Sequence, residues 1–259
     1  MATIEQIKAY WEGNTPQHWY SDKPVGTREY YDDIQRHRYG KVYPYLVELA
    51  GFKECAGKKV LEVGCGQGTD LLQFAKNGAE VYGIDLTDGA IQKASQMFAA
   101  YGLKAELSRQ NSEDLSAFAD ATFDLVYSFG VIHHTPDTER ALAEIRRVLK
   151  PGGRLCLMIY SKGFNFAVRL LYFHLAKGNF LSQSLQTTIN QYTEYRRNSP
   201  LTKMYSRREA LELVKDFEDV ELYMRHNHHF VGRLPLEVRQ LVEKRIGDNW
   251  FIRARKPRA

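Results

Sequence analysis

Cysteine is scarce: Cys55, Cys65 and Cys156 are the only three, odd in number and far apart along the chain. That argues against a disulfide framework or a clustered zinc site, and it fits a reducing, cytoplasmic setting. Long apolar runs are missing too. The most apolar stretch, residues 164–176, is too short to span a bilayer and carries Arg169 and His174. Met1 to Trp11 mixes acidic and basic residues without an apolar centre, so no secretory leader is expected. Nor is there a basic tract. The net charge of +5 is spread, apart from Arg196-Arg197, Arg207-Arg208 and the tail Arg253, Arg255, Lys256, Arg258, and these read as solvated surface rather than a nucleic-acid footprint. Repeats and low-complexity segments are absent. What remains is an ordinary globular composition, 44% hydrophobic and 26% charged, in a chain of 259 residues, which is long enough for one full α/β core.

One stretch organises the rest: Val60-Leu61-Glu62-Val63-Gly64-Cys65-Gly66-Gln67-Gly68-Thr69-Asp70. The apolar run reads as a buried parallel strand, and the glycines as a sharp turn into a helix beginning near Thr69. Without Cβ atoms at positions 64, 66 and 68, a ligand can lie against the main chain. No Gly-Lys-Ser/Thr follows, as a triphosphate cradle requires, and the spacing is Gly-x-Gly-x-Gly rather than the dinucleotide pattern Gly-x-Gly-x-x-Gly. Glu62, just before the loop, repels a pyrophosphate and attracts an ammonium or sulfonium. Val81 to Asp85 reads as a second strand whose terminal acid is placed to accept both hydroxyls of a ribose. The expected ligand contains a ribose and a cation.

Five segments in order, Glu62-x-Gly64-x-Gly66-x-Gly68, Gly83-Ile84-Asp85, Asn111-Ser112-Glu113-Asp114-Leu115, Phe123-Asp124-Leu125-Val126 and Leu149-Lys150-Pro151-Gly152-Gly153, resemble the class I S-adenosylmethionine-dependent methyltransferases over residues 55–160. The branch that methylates small molecules, as in ubiquinone and menaquinone biosynthesis, is the most similar and has a counterpart to Val131-Ile132-His133-His134. The resemblance implies an α/β, Rossmann-like, doubly wound sheet of seven strands with the last antiparallel. It implies an amino-terminal helical lid over residues 1–50, a cofactor-binding core over 51–160, a helical substrate cap inserted after the fifth strand over 161–205, and a return to the sheet over 206–259. It also implies S-adenosylmethionine as methyl donor, S-adenosylhomocysteine as product, and a small organic acceptor attacking through O, C or N. The donor would be held by Glu62, Gly64, Cys65, Gly66 and Gly68, then by Asp85 and Leu86, by Asn111, Ser112 and Glu113, and by Phe129. Asn111 departs from the family, which usually has an aspartate there to read the adenine amino group; Asn keeps one acceptor oxygen but no charge. Ser128-Phe129-Gly130-Val131 replaces the Asn/Asp-Pro-Pro-Tyr/Phe motif of nucleic-acid amino methyltransferases, which disfavours RNA. An RNA or protein methyltransferase and a non-catalytic S-adenosylmethionine binder stay open as alternatives.

Outside that span the residues speak less specifically. Tyr10, Trp11, Trp19, Tyr20, Tyr30 and Tyr31 give either an aromatic wall that attracts a sulfonium or anchors that pin an extension to the core. His133 and His134 are candidate catalytic bases, with a positioning role as the alternative. Tyr20, Tyr31, Tyr192, Tyr195, Arg196 and Arg197 are candidate contacts for an acidic or aromatic acceptor. The insertion sets Lys162, Arg169, Lys177, Arg196, Arg197 and Lys203 against a single acid, Glu194, and reads as a substrate cap, a homodimer contact or a membrane-surface helix. Thr27 to Leu49 is a helical pattern divided near Gly40 and Pro44, Thr135-Pro136 reads as a helix start, and Ser206 to Glu209 as a capping box. His226, His228 and His229 lack an adjacent carboxylate or cysteine, and no metal is expected.

Overall fold

The computed structural model describes residues 2–14, 21–176, 181–182, 184–193, 198–225 and 235–258. Its centre is a seven-stranded sheet: β1 (Lys59–Val63), β2 (Glu80–Asp85), β3 (Glu106–Arg109), β4 (Phe123–Phe129), β5 (Leu149–Tyr160), β6 (Glu218–Arg225) and β7 (Asn249–Arg255). They lie in the order 3-2-1-4-5-7-6. The first five strands are parallel, and β7 runs antiparallel to both β5 and β6. The central strands are near-continuous apolar runs because helices cover both faces. Leu155, Cys156, Leu157, Met158 and Ile159 are all buried in β5, and alternate side chains enter opposite layers. Cys156 and Met158 join Phe52, Phe74 and Tyr127 on one face; Leu155, Leu157 and Ile159 join Leu61, Phe123 and Ile145 on the other.

The helices before and between these strands follow local signals. α1 (Ile4–Gly13) opens with a reciprocal capping box between Thr3 and Gln6, and α2 (Arg28–His37) is capped by Thr27. The expected division near Gly40 takes the form of one wide π turn, Arg38–Val42, followed by the short α3 (Leu46–Leu49). α4 (Thr69–Lys76) leaves the Gly-rich loop from Gly68, whose φ of 84° is left-handed. α5 (Asp88–Tyr101) is capped by Thr87.

One boundary differs from the sequence reading. The helix expected at Thr135-Pro136 begins at Thr138, as α6 (Thr138–Val148), because the Asp137 side chain accepts the Arg140 N–H at 2.9 Å and does the capping. Residues Ile132–His134 form a separate 3₁₀ turn, tied down by the Thr138 hydroxyl donating to the Ile132 carbonyl at 3.0 Å. β5 starts at Leu149, with a bulge between its pairings to Phe123 and Leu125 that absorbs Pro151-Gly152.

After β5 the insertion forms α7 (Phe164–Leu170), which runs on into a wide turn over Leu171–Ala176, and α8 (Leu185–Thr193). Its end returns as a strap: Tyr205 N–H donates to the Tyr160 carbonyl and Lys203 N–H to the His133 carbonyl, each at 2.9 Å. The chain then makes α9 (Arg207–Leu213), which carries the expected Ser206–Glu209 capping box, and α10 (Leu236–Ile246) before β7. Among the described residues no helix is long and apolar enough to cross a membrane.

Phe74, on the inner face of α4, is fully buried with ring centroids 4.8 Å from Phe52 and 5.5 Å from Tyr127. Phe74→Ala should cost about 3–5 kcal/mol through lost burial and the cavity left behind. A urea melt should show a lower midpoint with unchanged slope.

Candidate active site

A cavity of ≈ 230 Å³ opens at the carboxyl ends of β1, β2 and β4 and is covered by α1. This is where an open α/β sheet binds ligands, because the strand ends there present main chain and loops rather than packed side chains. The Gly-rich loop makes its floor. Gly64 has φ of 74°, and a Cβ there would overlap the Val131 side chain, so position 64 admits nothing larger. Gly66 has φ of 55° and faces open space.

Three carboxylates stand around this floor in different electrostatic states. Asp85, at the end of β2, is held in one orientation: Oδ2 accepts the Gly66 N–H at 3.0 Å, and Oδ1 accepts the Thr87 N–H at 3.0 Å and the Thr87 hydroxyl at 2.8 Å. Burial pushes its pKa up and these hydrogen bonds pull it back, with burial the larger effect. Asp70, in the first turn of α4, is fully engaged. Arg38 grips it with two guanidinium nitrogens, Nε at 2.7 Å from Oδ1, while the Tyr39 and Tyr127 hydroxyls donate to it at 2.7 and 2.8 Å. The guanidinium also lies 4.7 Å from the Phe129 ring centroid and 5.0 Å from that of Tyr43. Glu62, at the end of β1, is the contrasting case. It is 3% exposed, Leu71 N–H serves one side of its carboxyl group, and Oε2 has no partner among the described residues. Burial first, and then the Asp70 charge, drive its pKa well above the ordinary carboxylate value. A buried carboxyl group left short of partners at the edge of a cavity is poised for a cation.

The wall away from the loop is aromatic and apolar. α1 supplies Ile4, Ile7, Tyr10 and Trp11, and Val131, Met158 and Tyr160 face them. His134 lies among these, its ring edge-on to Trp11 with centroids 5.1 Å apart. Its Nδ1 is 2.8 Å from the Leu201 carbonyl of the strap; the carbonyl can only accept, so Nδ1 carries a proton, and in the neutral ring the lone pair is the one on Nε2. α1 is latched over the cavity from outside, with Lys8 Nζ 3.1 Å from Asp88 and the Gly89 N–H donating to Glu12 at 2.7 Å.

The chain agrees with a family model described as "Methyltransferase domain" over residues 61–157. It is 31% identical over 159 residues to a ubiquinone biosynthesis O-methyltransferase from Azoarcus sp. (strain BH72), covering 61% of this chain and 66% of that one. It is 38% identical over 126 residues to the sterol 24-C-methyltransferase erg6 of Aspergillus fumigatus, covering 48% and 32%. The match thus spans just under two thirds of the first relative and about a third of the second. The solved magnesium protoporphyrin IX methyltransferase from Synechocystis PCC 6803, with bound SAH, superposes with a TM-score of 0.61 at 15% identity, covering 96% of this chain and 98% of that one, which establishes a shared fold.

Residues 61–157 thus match a methyltransferase domain, and the chain has the fold of S-adenosylmethionine-dependent methyltransferases.

Glu62, Asp85, Leu86, Asn111 and Ser112, the residues expected to hold the donor, all line the cavity. Cys65, Gly66 and Phe129 also line the cavity, as expected. The Asn111 side-chain oxygen already accepts the Glu113 N–H at 3.1 Å, so one of its lone pairs is spent on its own loop.

Several expected residues do other work. Gly68 lies under the loop, where a Cβ would press on Ala94 and Phe98 at 3.3 and 3.4 Å; it serves helix packing. Glu113 faces away, its carboxylate accepting the Asp137 N–H at 2.8 Å at the head of α6. His133 is fully buried behind the cavity, 4.2 Å from both the His134 and Tyr160 rings, with neither ring nitrogen paired among the described residues. Burial holds it well below the usual histidine pKa, so it is a neutral packing group and no base for the cavity. Tyr30 and Tyr31 are core residues in edge contact with each other. Trp19, Tyr20, Tyr195, Arg196, Arg197, His226, His228 and His229 lie outside the described residues, as does the side chain of Tyr192 on α8. Among the described residues no cluster could hold a metal.

The sequence reading missed the roles of Arg38, Asp70, Gln110 and Tyr160. Gln110 donates to Ser108 at 2.7 Å and leaves its buried Oε1 without a partner among the described residues, beside Asn111. A signal existed for Arg38: it is a charge on the otherwise aromatic and apolar stripe Tyr31, Ile34, Arg38, Tyr45, and such a charge needs a partner once buried.

Glu62 tests this electrostatic picture. Its folded pKa is raised, so its contribution to stability is present below the ordinary carboxylate pKa of 4.5 and lost as pH rises through the folded value. Glu62→Gln should therefore melt higher than the parent at pH 8 without ligand, with the gap closing toward pH 4. The same variant should bind S-adenosylmethionine about 10- to 100-fold more weakly, having lost a charge-assisted hydrogen bond. Scanning fluorimetry across pH and calorimetry at pH 8 measure the two effects.

Proposed function

We propose that this protein transfers the methyl group of S-adenosylmethionine to an oxygen, or an acidic carbon, of a small and largely apolar acceptor. The observation that carries the reading is His134. It lines the cavity, its proton is fixed on Nδ1 by the Leu201 carbonyl, and its Nε2 lone pair lies within an aromatic wall. The wall formed by Ile4, Ile7, Tyr10, Trp11, Val131 and Tyr160 offers no counter-charge to an acidic acceptor, and Arg38 is committed to Asp70. The ubiquinone and sterol methyltransferases to which the chain is similar bear names that fit the same substrate class.

When bound, the donor supplies an already activated methyl electrophile, so the protein's task is alignment, proton handling and exclusion of water. Glu62 and Asp85 hold two ends of the donor, and the Gly-rich loop lets it lie against main chain. α1, latched by Lys8 and Glu12, closes the cavity as a lid. His134 Nε2 takes the proton of the acceptor's O–H or C–H as the new bond to the methyl carbon forms, and returns it to solvent after S-adenosylhomocysteine leaves. Three reduced, buried cysteines are in keeping with a reducing cytoplasmic compartment.

Calorimetry with S-adenosylmethionine and S-adenosylhomocysteine, followed by a product assay over phenols, carboxylic acids, amines and structured RNA, tests the reading. Turnover on phenols supports it; turnover on RNA alone, or binding without turnover on any class, would sink it. His134→Asn retains a side-chain donor for Leu201 but no base. It should lower kcat by about 10²- to 10⁴-fold on a hydroxyl acceptor. Donor affinity should stay within about twofold, because the acceptor wall and not the donor floor is altered.

A further inference from the structure

The segment that carries His134 is held together from outside. After the 3₁₀ turn Ile132–His134 the chain is extended, with Thr135 at φ −88° and ψ 151°. At the head of α6 the Ala141 N–H donates to the Asp137 carbonyl at 3.1 Å, so the carbonyls before Asp137 lie ahead of the helix and need donors from elsewhere.

Lys203, on the strap, supplies them. Its main-chain N–H donates to the His133 carbonyl at 2.9 Å, and its ammonium donates to the Pro136 carbonyl at 2.7 Å. The same ammonium reaches the Thr138 hydroxyl at 2.9 Å. That hydroxyl donates to the Ile132 carbonyl at 3.0 Å and accepts from the Tyr205 hydroxyl at 3.3 Å, so its proton and both lone pairs are used. One residue thus draws together the two ends of residues 132–138, with His134 between the points it holds. Because the donor is charged, the bonds from its ammonium are of the stronger kind.

The strap is gripped on its other side by α8. Gln186 Nε2 donates to the Thr202 carbonyl at 2.9 Å, and Asn190 accepts the Thr202 N–H at 3.0 Å. Without Lys203, the strap would stay attached to α8 while the turn could move away from it. The contact most exposed to such a change is the one between the Leu201 carbonyl and His134 Nδ1, at 2.8 Å. A hydrogen bond of this type has a working range of only about 2.7–3.2 Å. Which ring nitrogen carries the proton follows from that bond.

We propose that Lys203 is a positioning residue for His134: by holding the strap against residues 132–138, it keeps the Leu201 carbonyl on Nδ1 and leaves Nε2 as the basic nitrogen of the neutral ring. The inference rests on the reading of His134 as the base of the cavity. Lys203 itself does not line that cavity.

The test is heteronuclear NMR of the full chain with labelled histidine rings at pH 8, where the two-bond proton–nitrogen pattern shows which nitrogen of a neutral ring is protonated. Signals lost in His134→Asn identify the ring. The parent should carry the proton on Nδ1. Lys203→Met keeps the apolar stem and removes the ammonium, and it should shift the population toward the Nε2–H form by about tenfold, the order expected from losing hydrogen bonds to a charged group. Thr138→Val should move it the same way, and Thr138→Ser, which keeps the hydroxyl, should hold the parent pattern. Lys162→Met breaks the Lys162–Glu209 pair elsewhere in the insertion and should change nothing at the ring. On a phenol acceptor, Lys203→Met should lower kcat about tenfold with KM within about twofold. A proton on Nε2 in the parent, a population unmoved in both Lys203→Met and Thr138→Val, or an equal shift in Lys162→Met overturns the proposal. The spectra are read without turnover, so a parent inactive on every acceptor counts against the methyl-transfer reading alone.

Discussion

The Arg38–Asp70 ion pair is the interaction on which the rest of the site depends. Both side chains are almost wholly removed from water, and moving a guanidinium and a carboxylate into low dielectric costs several kcal/mol per ion before attraction and hydrogen bonds return it. The return here is complete on the acid: two guanidinium nitrogens and two tyrosine hydroxyls converge on Asp70. Those tyrosines come from different elements, Tyr39 from the π turn after α2 and Tyr127 from the middle of β4. The pair therefore fixes the amino-terminal segment, the first turn of α4 and the central sheet relative to one another. Its negative partner also adds to the burial that raises the Glu62 pKa.

The site divides into two halves that solve different problems. Around the Gly-rich loop, positions are set by main chain and by short hydrogen bonds from Gly66 and Thr87 to Asp85, so little can shift. Across the cavity the contacts are apolar or aromatic, and they come from α1 and from the β5 and His134 region. Such contacts tolerate changes of shape, because dispersion and burial are not directional. One half is suited to an invariant ligand with fixed charges. The other can be re-formed for a different acceptor without disturbing the sheet.

The fold was legible because its signals are local. Val60 to Val63, Val81 to Asp85 and Phe123 to Ser128 are apolar runs bounded by turn residues, and the Gly64, Gly66, Gly68 spacing permits few other backbones. The place of Glu62, Asp85 and Asn111 in the cavity was legible for the same reason: they sit at or just beyond strand ends, so finding the strand finds the residue. Arg38 and Asp70 were harder, because their partnership joins positions that no periodicity connects. Gly68 and Glu113 share a motif with true cavity residues yet face the other way, since a motif records sequence position and not direction. His133 and His134 show the limit most plainly. They are adjacent in sequence and identical in chemistry, and a single 3₁₀ turn buries one while presenting the other.

That turn also explains why the insertion matters to the chemistry. The strap at its end reaches back to donate Lys203 N–H to the His133 carbonyl and to receive the Nδ1 proton of His134 at Leu201. The carbonyl that selects the His134 tautomer thus belongs to a segment outside the minimal doubly wound fold. The exposed face of Phe164–Ala176 belongs to the same insertion and is joined to this strap through α8, where Asn190 accepts the Thr202 N–H at 3.0 Å and donates to the Pro200 carbonyl at 3.1 Å. The outer helix and the His134 ring are therefore linked through α8 and the strap, by the His174–Thr188, Asn190–Thr202 and His134–Leu201 hydrogen bonds and the backbone between them. The side of the cavity around the Gly-rich loop is held differently, by Arg38 and Asp70 against the sheet.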